Sequence, residues 1–407
     1  MIAANLPVQR PPNAKVLIID GQGNIEHQAR SEFANLLRPG DMVVANDAAT
    51  LPASLSGQHS RTGRRIEIRL AGRDTLDEIR QFSAVVFGEG DFRTPTENRS
   101  KPPSLKSGDR LELGRLRATV VRLLNHPRFI LLQFEGSPQE IWEGLARHGR
   151  PIQYAHVPTP LAVWDTWTPI AGRPVAFEPP SAGFVLDWSM LASMSARKIR
   201  FGTITHAAGL SSTGDPELDA LLPFAEPYQI PRSTALMIKH AQASRGRIIA
   251  IGTTVVRALE HSAAMFDGVV PPGERLATQR LDASSRLRIV DAILSGSHER
   301  GTSHYELLRA FVDDETIGRI DLELNARDYR THEFGDSVFL ERAANKTRPR
   351  SSRLSPHHSM CQLKYYVNFR ERACPCGLFP SDGHPCKSLS TEKHKISGRA
   401  RESAQSV

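Results

Sequence analysis

Cysteine is absent from the first 360 residues of this 407-residue chain; Cys361, Cys374, Cys376 and Cys386 all stand near its end. That excludes a disulfide-stapled secreted domain, because the body has nothing to staple. Long apolar runs are missing too. No stretch of 18 or more apolar residues exists, so no membrane span is expected. Met1–Pro12 lacks the charged start and apolar centre of a secretory signal, and a cytoplasmic location is the expectation. The body also lacks net charge. The chain carries +8 overall, but residues 343–407 hold twelve basic and four acidic residues, which leaves the first 342 balanced. Any nucleic-acid contact by the body has to come from local patches such as Arg61-Thr62-Gly63-Arg64-Arg65.

What is present divides by period. In the first half, Val16–Ile19, Met42–Ala45, Ile66–Leu70, Phe82–Phe87, Leu116–Leu124 and Phe129–Phe134 are short apolar runs punctuated by Gly, Asp or Arg, which predicts strands. Arg65-Ile66-Glu67-Ile68-Arg69-Leu70 alternates polar with apolar, the pattern of a strand with one wet face. Close spacing of such runs predicts a small barrel or sandwich between Gly57 and Phe134. Helices enter the second half. Ser137-Pro138-Gln139-Glu140 is a capping box, Asp187 caps Trp188–Ala196, and Arg232–Ala243 follows Pro231. Ser303-His304-Tyr305-Glu306 is read as another capping box, opening a helix to Val312. The fold class expected is α/β: a main α/β domain (1–56 and 135–342), an inserted small β-barrel domain (57–134), and a basic tail (343–407) too polar to pack a core.

One corner stands out chemically. Arg247–Ile251 is a buried-strand pattern, and Gly252-Thr253-Thr254 turns it into a helix whose first turn offers free N–H groups and the positive dipole end. A phosphate, carboxylate or nucleotide fits such a corner; so does an ordinary strand-to-helix turn with a threonine cap. Arg257 and Glu260, three apart on that helix, are spaced to pair. His206, at the end of the strand Ile199–Thr205, is either a base or a satisfied structural histidine. Cys374-x-Cys376 with His384-x-Cys386 has zinc-type donors but not the usual knuckle spacing. The tail is alternatively an arm for RNA phosphates, or an extension without selected function.

Several segments, taken in order, resemble the S-adenosylmethionine:tRNA ribosyltransferase-isomerase family of queuosine biosynthesis. Leu37-Arg38-Pro39-Gly40-Asp41-Met42-Val43-Val44-Ala45-Asn46-Asp47 is similar to its L-x-P-G-D-L-L-V-x-N-D segment, and Leu51-Pro52-Ala53 to its I-P-A. Lys106–Leu111 resembles K-x-G-D-R-L, and Ser181-Ala182-Gly183 resembles T-A-G. Gly246–Glu260 follows G-x-R-I-V-A-V-G-T-T-x-x-R-x-L-E nearly throughout, and Tyr329–Asp336 is similar to Y-R-F-F-S-x-G-D. The resemblance implies an α/β domain with an inserted barrel. It implies transfer and isomerisation of the ribosyl group of S-adenosylmethionine onto a 7-aminomethyl-7-deazaguanine base in the tRNA anticodon, with loss of adenine and methionine. S-adenosylmethionine is then a co-substrate, and neither a separate cofactor nor a metal is implied. Such chemistry needs acid and base groups, a preorganised polar pocket and cationic contacts to RNA. On this basis His206, Glu226 and His298 are the candidate catalytic residues. Asn46, Ala182, Gly183, Gly252, Thr253, Thr254, Arg257 and Asp336 are the candidate substrate-binding residues.

The departures fall in loops. Family N-D-T-R-V-I-P-A-R-L becomes Asn46-Asp47-Ala48-Ala49-Thr50-Leu51-Pro52-Ala53-Ser54-Leu55, which loses two arginines. T-A-G-L-H-F becomes Ser181-Ala182-Gly183-Phe184-Val185-Leu186, which loses a histidine, and H-x-M-H-x-E keeps only Glu226. Two alternatives accompany the enzymatic reading: a divergent paralogue acting on a substrate other than tRNA, and a catalytically inactive RNA-binding protein.

Overall fold

Four parallel strands form the centre of the molecule: Arg200–His206, Met42–Asn46, Ile248–Ile251 and Ala292–Gly296, side by side in that order. The computed structural model describes residues 1–346. Five further strands extend the sheet to nine, all paired antiparallel to their inner neighbour except Lys15–Ile19, which runs parallel to Ser337–Glu341. Glu226–Ile230 and Gly273–Ala277 lie on one side; Ser337–Glu341, Lys15–Ile19 and Ile25–Ala29 lie on the other. Both faces of this sheet are covered, so Met42-Val43-Val44-Ala45 is buried at every position. Met42 and Val44 pack with Ile238, Val255 and Leu259 from the helices Arg232–Ala243 and Thr253–Met265. Val43 and Ala45 pack on the opposite face with Phe33, Val185 and Met190. A strand dry on both sides loses period-two alternation and reads as a continuous apolar run. Burying each large aliphatic side chain of this kind contributes roughly 1.5–3 kcal/mol.

Six antiparallel strands close a barrel: Ser54–His59, Arg65–Gly72, Gln81–Phe87, Arg110–Leu113, Leu116–Leu123 and Phe129–Phe134. Closure comes from Gln58 pairing with Glu112 and His59 with Leu111. Gly57 permits that approach, since a Cβ there would lie 2.0 Å from the Glu112 carbonyl oxygen. The short strand Gly149–Arg150 adds to Ser54–Leu55. The expected mixed α/β architecture with an inserted barrel is therefore observed.

Some local expectations change. Glu67 and Arg69 do not face water: they are 4% and 1% exposed. Arg69 Nε donates to Glu67 Oε1 at 2.8 Å, and Arg99 Nη1 donates to Glu67 Oε2 at 2.5 Å, so one buried carboxylate bridges two guanidiniums. The alternation was real; its polar face is buried because it carries its own counter-ions. At the other end, Thr302, not Ser303, caps the helix by accepting the Tyr305 N–H. That helix is Ser303–Leu308, and a second, Asp314–Ala326, starts at Asp313. The cap at Gly252 is also not a threonine: Gly252 itself is the N-cap residue, with no side-chain cap bond. The tail motif Cys374 to Cys386 lies outside the described residues.

No helix among the described residues is long and apolar enough to cross a membrane.

Candidate active site

A cavity opens at the carboxyl ends of the four parallel strands. This is where an open α/β sheet presents loop groups to a ligand, since side chains and helix N-termini converge there. Segments remote in sequence line it: Glu178–Ala182, Ala208–Leu210, Glu226, Gly252–Thr254, Arg257, Ser295–Gly296 and His298. Of the sequence-derived candidates, Glu226, His298, Ala182, Gly252, Thr253, Thr254 and Arg257 are on its wall.

The others stand behind or away from it. Asn46 ends its strand and clamps the neighbouring one: its Oδ1 accepts the His206 N–H at 2.9 Å and its Nδ2 donates to the His206 carbonyl at 2.9 Å. His206 is fully buried. Its Nδ1 lies 2.7 Å from the Thr254 carbonyl oxygen and its Nε2 lies 2.9 Å from Glu226 Oε2. Gly183 packs against Thr168, where a Cβ would approach Cγ2 to 3.0 Å. Asp336 is an internal staple, accepting the backbone N–H groups of Lys15 and Arg330, both at 2.8 Å.

Glu226 anchors the cavity floor. Burial alone would raise its pKa, but the Arg257 guanidinium, the His206 imidazole and the Gly209 N–H hold it down to about 2. Arg257 also donates to the carbonyl oxygens of Gln279, Phe224 and Ala277. The i,i+3 spacing therefore does not organise Arg257. Glu260 in turn accepts the backbone N–H groups of Arg288, Ile289 and Val290. His298 is held by Ser295, Oγ to Nε2 at 2.9 Å. Loss of water around its ring, with His304 and His332 nearby, pushes His298 well below the ordinary imidazole range, so it is neutral at pH 7.

Sequence reading missed several groups here. Glu178, 8% exposed, accepts from the Tyr154 hydroxyl at 2.5 Å and the Ser211 N–H at 3.1 Å. Burial, with the Glu333 charge in the same direction, pushes its carboxyl up to about 7. A lone Glu between Phe177 and Pro179 carries no motif that would announce this. His304, its ring centroid 4.8 Å from that of His298, was visible only as part of a helix cap. His156, His332 and Glu333 form the one group among the described residues with metal-ligand chemistry. The two imidazoles are stacked, 16° from parallel with centroids 4.0 Å apart, so their planes do not converge on a common ion. His156 instead meets Glu333 Oε2 at 3.0 Å. In the basic patch, Arg61 is paired twice with Asp109, at 3.1 and 3.0 Å, and Arg64 donates to the Lys101 carbonyl.

The family model described as "Queuosine biosynthesis protein" matches residues 1–340. The chain is 30% identical over 342 residues to the S-adenosylmethionine:tRNA ribosyltransferase-isomerase of Ralstonia nicotianae, covering 82% of this chain and 89% of that protein. It is 29% identical to the enzyme of the same name from Citrifermentans bemidjiense, over 83% of this chain and 96% of that one. Among solved structures, S-adenosylmethionine tRNA ribosyltransferase from Thermotoga maritima is similar at 20% identity and a TM-score of 0.43, covering 83% of this chain and 96% of that one. The chain belongs to the queuosine biosynthesis protein family.

Proposed function

We propose that this protein transfers and isomerises the ribosyl group of S-adenosylmethionine onto a 7-aminomethyl-7-deazaguanine base in the tRNA anticodon, giving epoxyqueuosine. The observation that carries the reading is convergence. Segments that follow the family pattern, at Ala182, Glu226 and Gly252–Arg257, lie far apart in the chain and line one cavity. No observation favours a non-tRNA substrate or an inactive RNA-binding protein. S-adenosylmethionine enters as co-substrate, without a separate cofactor.

Roles follow from position. The Gly252-Thr253-Thr254 corner offers N–H and hydroxyl donors to the polar groups of S-adenosylmethionine. Neutral His298 is placed to exchange a proton with the departing adenine. Glu226, fixed by Arg257 and His206, supplies a permanent negative charge at the floor. His206 and Asn46 act through others and are positioning residues. Asp336 supports the sheet edge. The test is free adenine measured after incubation with S-adenosylmethionine, with and without precursor-containing tRNA. Adenine release that requires the tRNA is the expected result; none in either arm overturns the reading.

A further inference from the structure

Two carboxylates line the cavity, and they differ in what neutralises them. Glu226 has a guanidinium, an imidazole and an N–H. Glu178 has only neutral donors, the Tyr154 hydroxyl and the Ser211 N–H, and no cation lies within ion-pair distance of it among the described residues. Arg69 acts on Glu178 only through space: its Cζ sits 5.5 Å from the Tyr154 ring centroid, its Nε donates to Glu67, and its buried Nη1 makes no hydrogen bond among the described residues. Tyr154 is itself held in place, accepting from Ser211 Oγ and the Ser212 N–H, both at 3.3 Å. At the cavity wall Arg280 is exposed and makes no ion pair or hydrogen bond to another described residue. The cavity thus carries one anionic and one cationic side chain with no counter-ion in contact among the described residues.

We propose that Glu178, oriented by Tyr154, is the onium subsite of this cavity: its carboxylate receives the positively charged centre of a substrate, while Arg280 faces an anionic group. The proposal rests on the reading that the cavity takes S-adenosylmethionine and a tRNA base. A buried carboxylate with no counter-charge in contact is unfavourable until it is protonated or a ligand brings a cation. That cost is what raises the pKa of Glu178. An arriving sulfonium or ammonium replaces the proton and restores the ionised form. Two substrate groups have this chemistry: the sulfonium of S-adenosylmethionine and the ammonium of the aminomethyl base.

The experiment is isothermal calorimetry at pH 8 on the full chain, wild type against Glu178→Gln, with Tyr154→Phe and Glu178→Asp alongside. S-adenosylmethionine is compared with its neutral thioether, S-adenosylhomocysteine. Precursor-containing tRNA is compared with the same tRNA bearing guanine. If the sulfonium is the occupant, wild type prefers S-adenosylmethionine about tenfold or more, and Glu178→Gln brings the preference within twofold by weakening that ligand alone. If the ammonium is the occupant, the tRNA ratio collapses in the same way and the thioether ratio does not. Glu178→Asp keeps part of the preference and Tyr154→Phe reduces it. Both ratios unchanged in a folded Glu178→Gln protein overturns the proposal while leaving the function intact. Wild type that binds neither S-adenosylmethionine nor tRNA overturns the functional reading as well, so the two failures are separable.

Discussion

His206 Nε2 and Glu226 Oε2 meet at 2.9 Å across two adjacent antiparallel strands, where His206 pairs with Tyr228 in register. Arg257 reaches the same carboxylate oxygen from the helix Thr253–Met265. Three elements that are distant in sequence are thereby fixed to one another at the cavity floor.

Breaking this unit from one side leaves a buried charge. Glu226→Gln or Arg257→Met alone is expected to cost roughly 3–5 kcal/mol in urea unfolding, since each deprives a buried charge of its direct ion-pair partner. The double variant should cost clearly less than the sum of the two. Simple additivity would show that the pair is not coupled.

Gly252 stands at φ 96°, ψ 154°, a region essentially confined to glycine. Gly252→Ala is expected to lose about 1–3 kcal/mol of stability, and adenine release should fall with it because the Thr253 and Thr254 N–H groups shift. Full activity in this variant would remove the corner from the binding role.

His298→Asn tests acid–base function. Its neutral ring is placed by Ser295 and does not hold the sheet together. Adenine release should drop by roughly 10²–10⁴-fold with thermal stability little changed. A drop of only a few-fold would demote His298 to pocket lining.

Stability should depend on pH through Glu178. Its pKa in the folded protein, about 7, lies above the ordinary 4.5. The contribution is fully present below about pH 4.5 and is lost as pH rises through 7. Tyr154, Glu333 and Arg69 are the charged or titratable groups acting on it or on its partner. Between pH 5 and 8 the wild type should lose stability relative to Glu178→Gln by on the order of 2 kcal/mol, read from urea midpoints. Parallel pH profiles would show that Glu178 does not titrate in this range.

Deleting residues 347–407 preserves Lys346, whose Nζ donates to the Ala283 and Arg309 carbonyls. Because residues 347–407 hold eleven basic and four acidic residues, a net +7, the slope of tRNA affinity against salt should flatten on deletion. An unchanged slope would assign phosphate contacts to the body.

The sequence by itself determined the elements and the family. Met42–Asn46 and Ile248–Ile251 were legible because burial on both faces makes a strand uniformly apolar. The helix at Ser137 was legible because its cap is local chemistry: the Ser137 hydroxyl accepts the Glu140 N–H, and the Glu140 carboxylate accepts the Ser137 N–H. The Gly252 corner was legible as a strand, a glycine turn and a helix start, and Glu226 and His298 were found through the family resemblance. Only the tertiary structure separated groups that face the cavity from those that brace it, such as Asn46, His206 and Asp336, since a side chain's direction depends on strand pairing. It alone showed Glu178 and His304, and it alone buried Glu67 and Arg69. The character of a charged residue is set by which counter-charges stand within a few ångströms. That distance is fixed by packing between remote segments, and no local pattern encodes it.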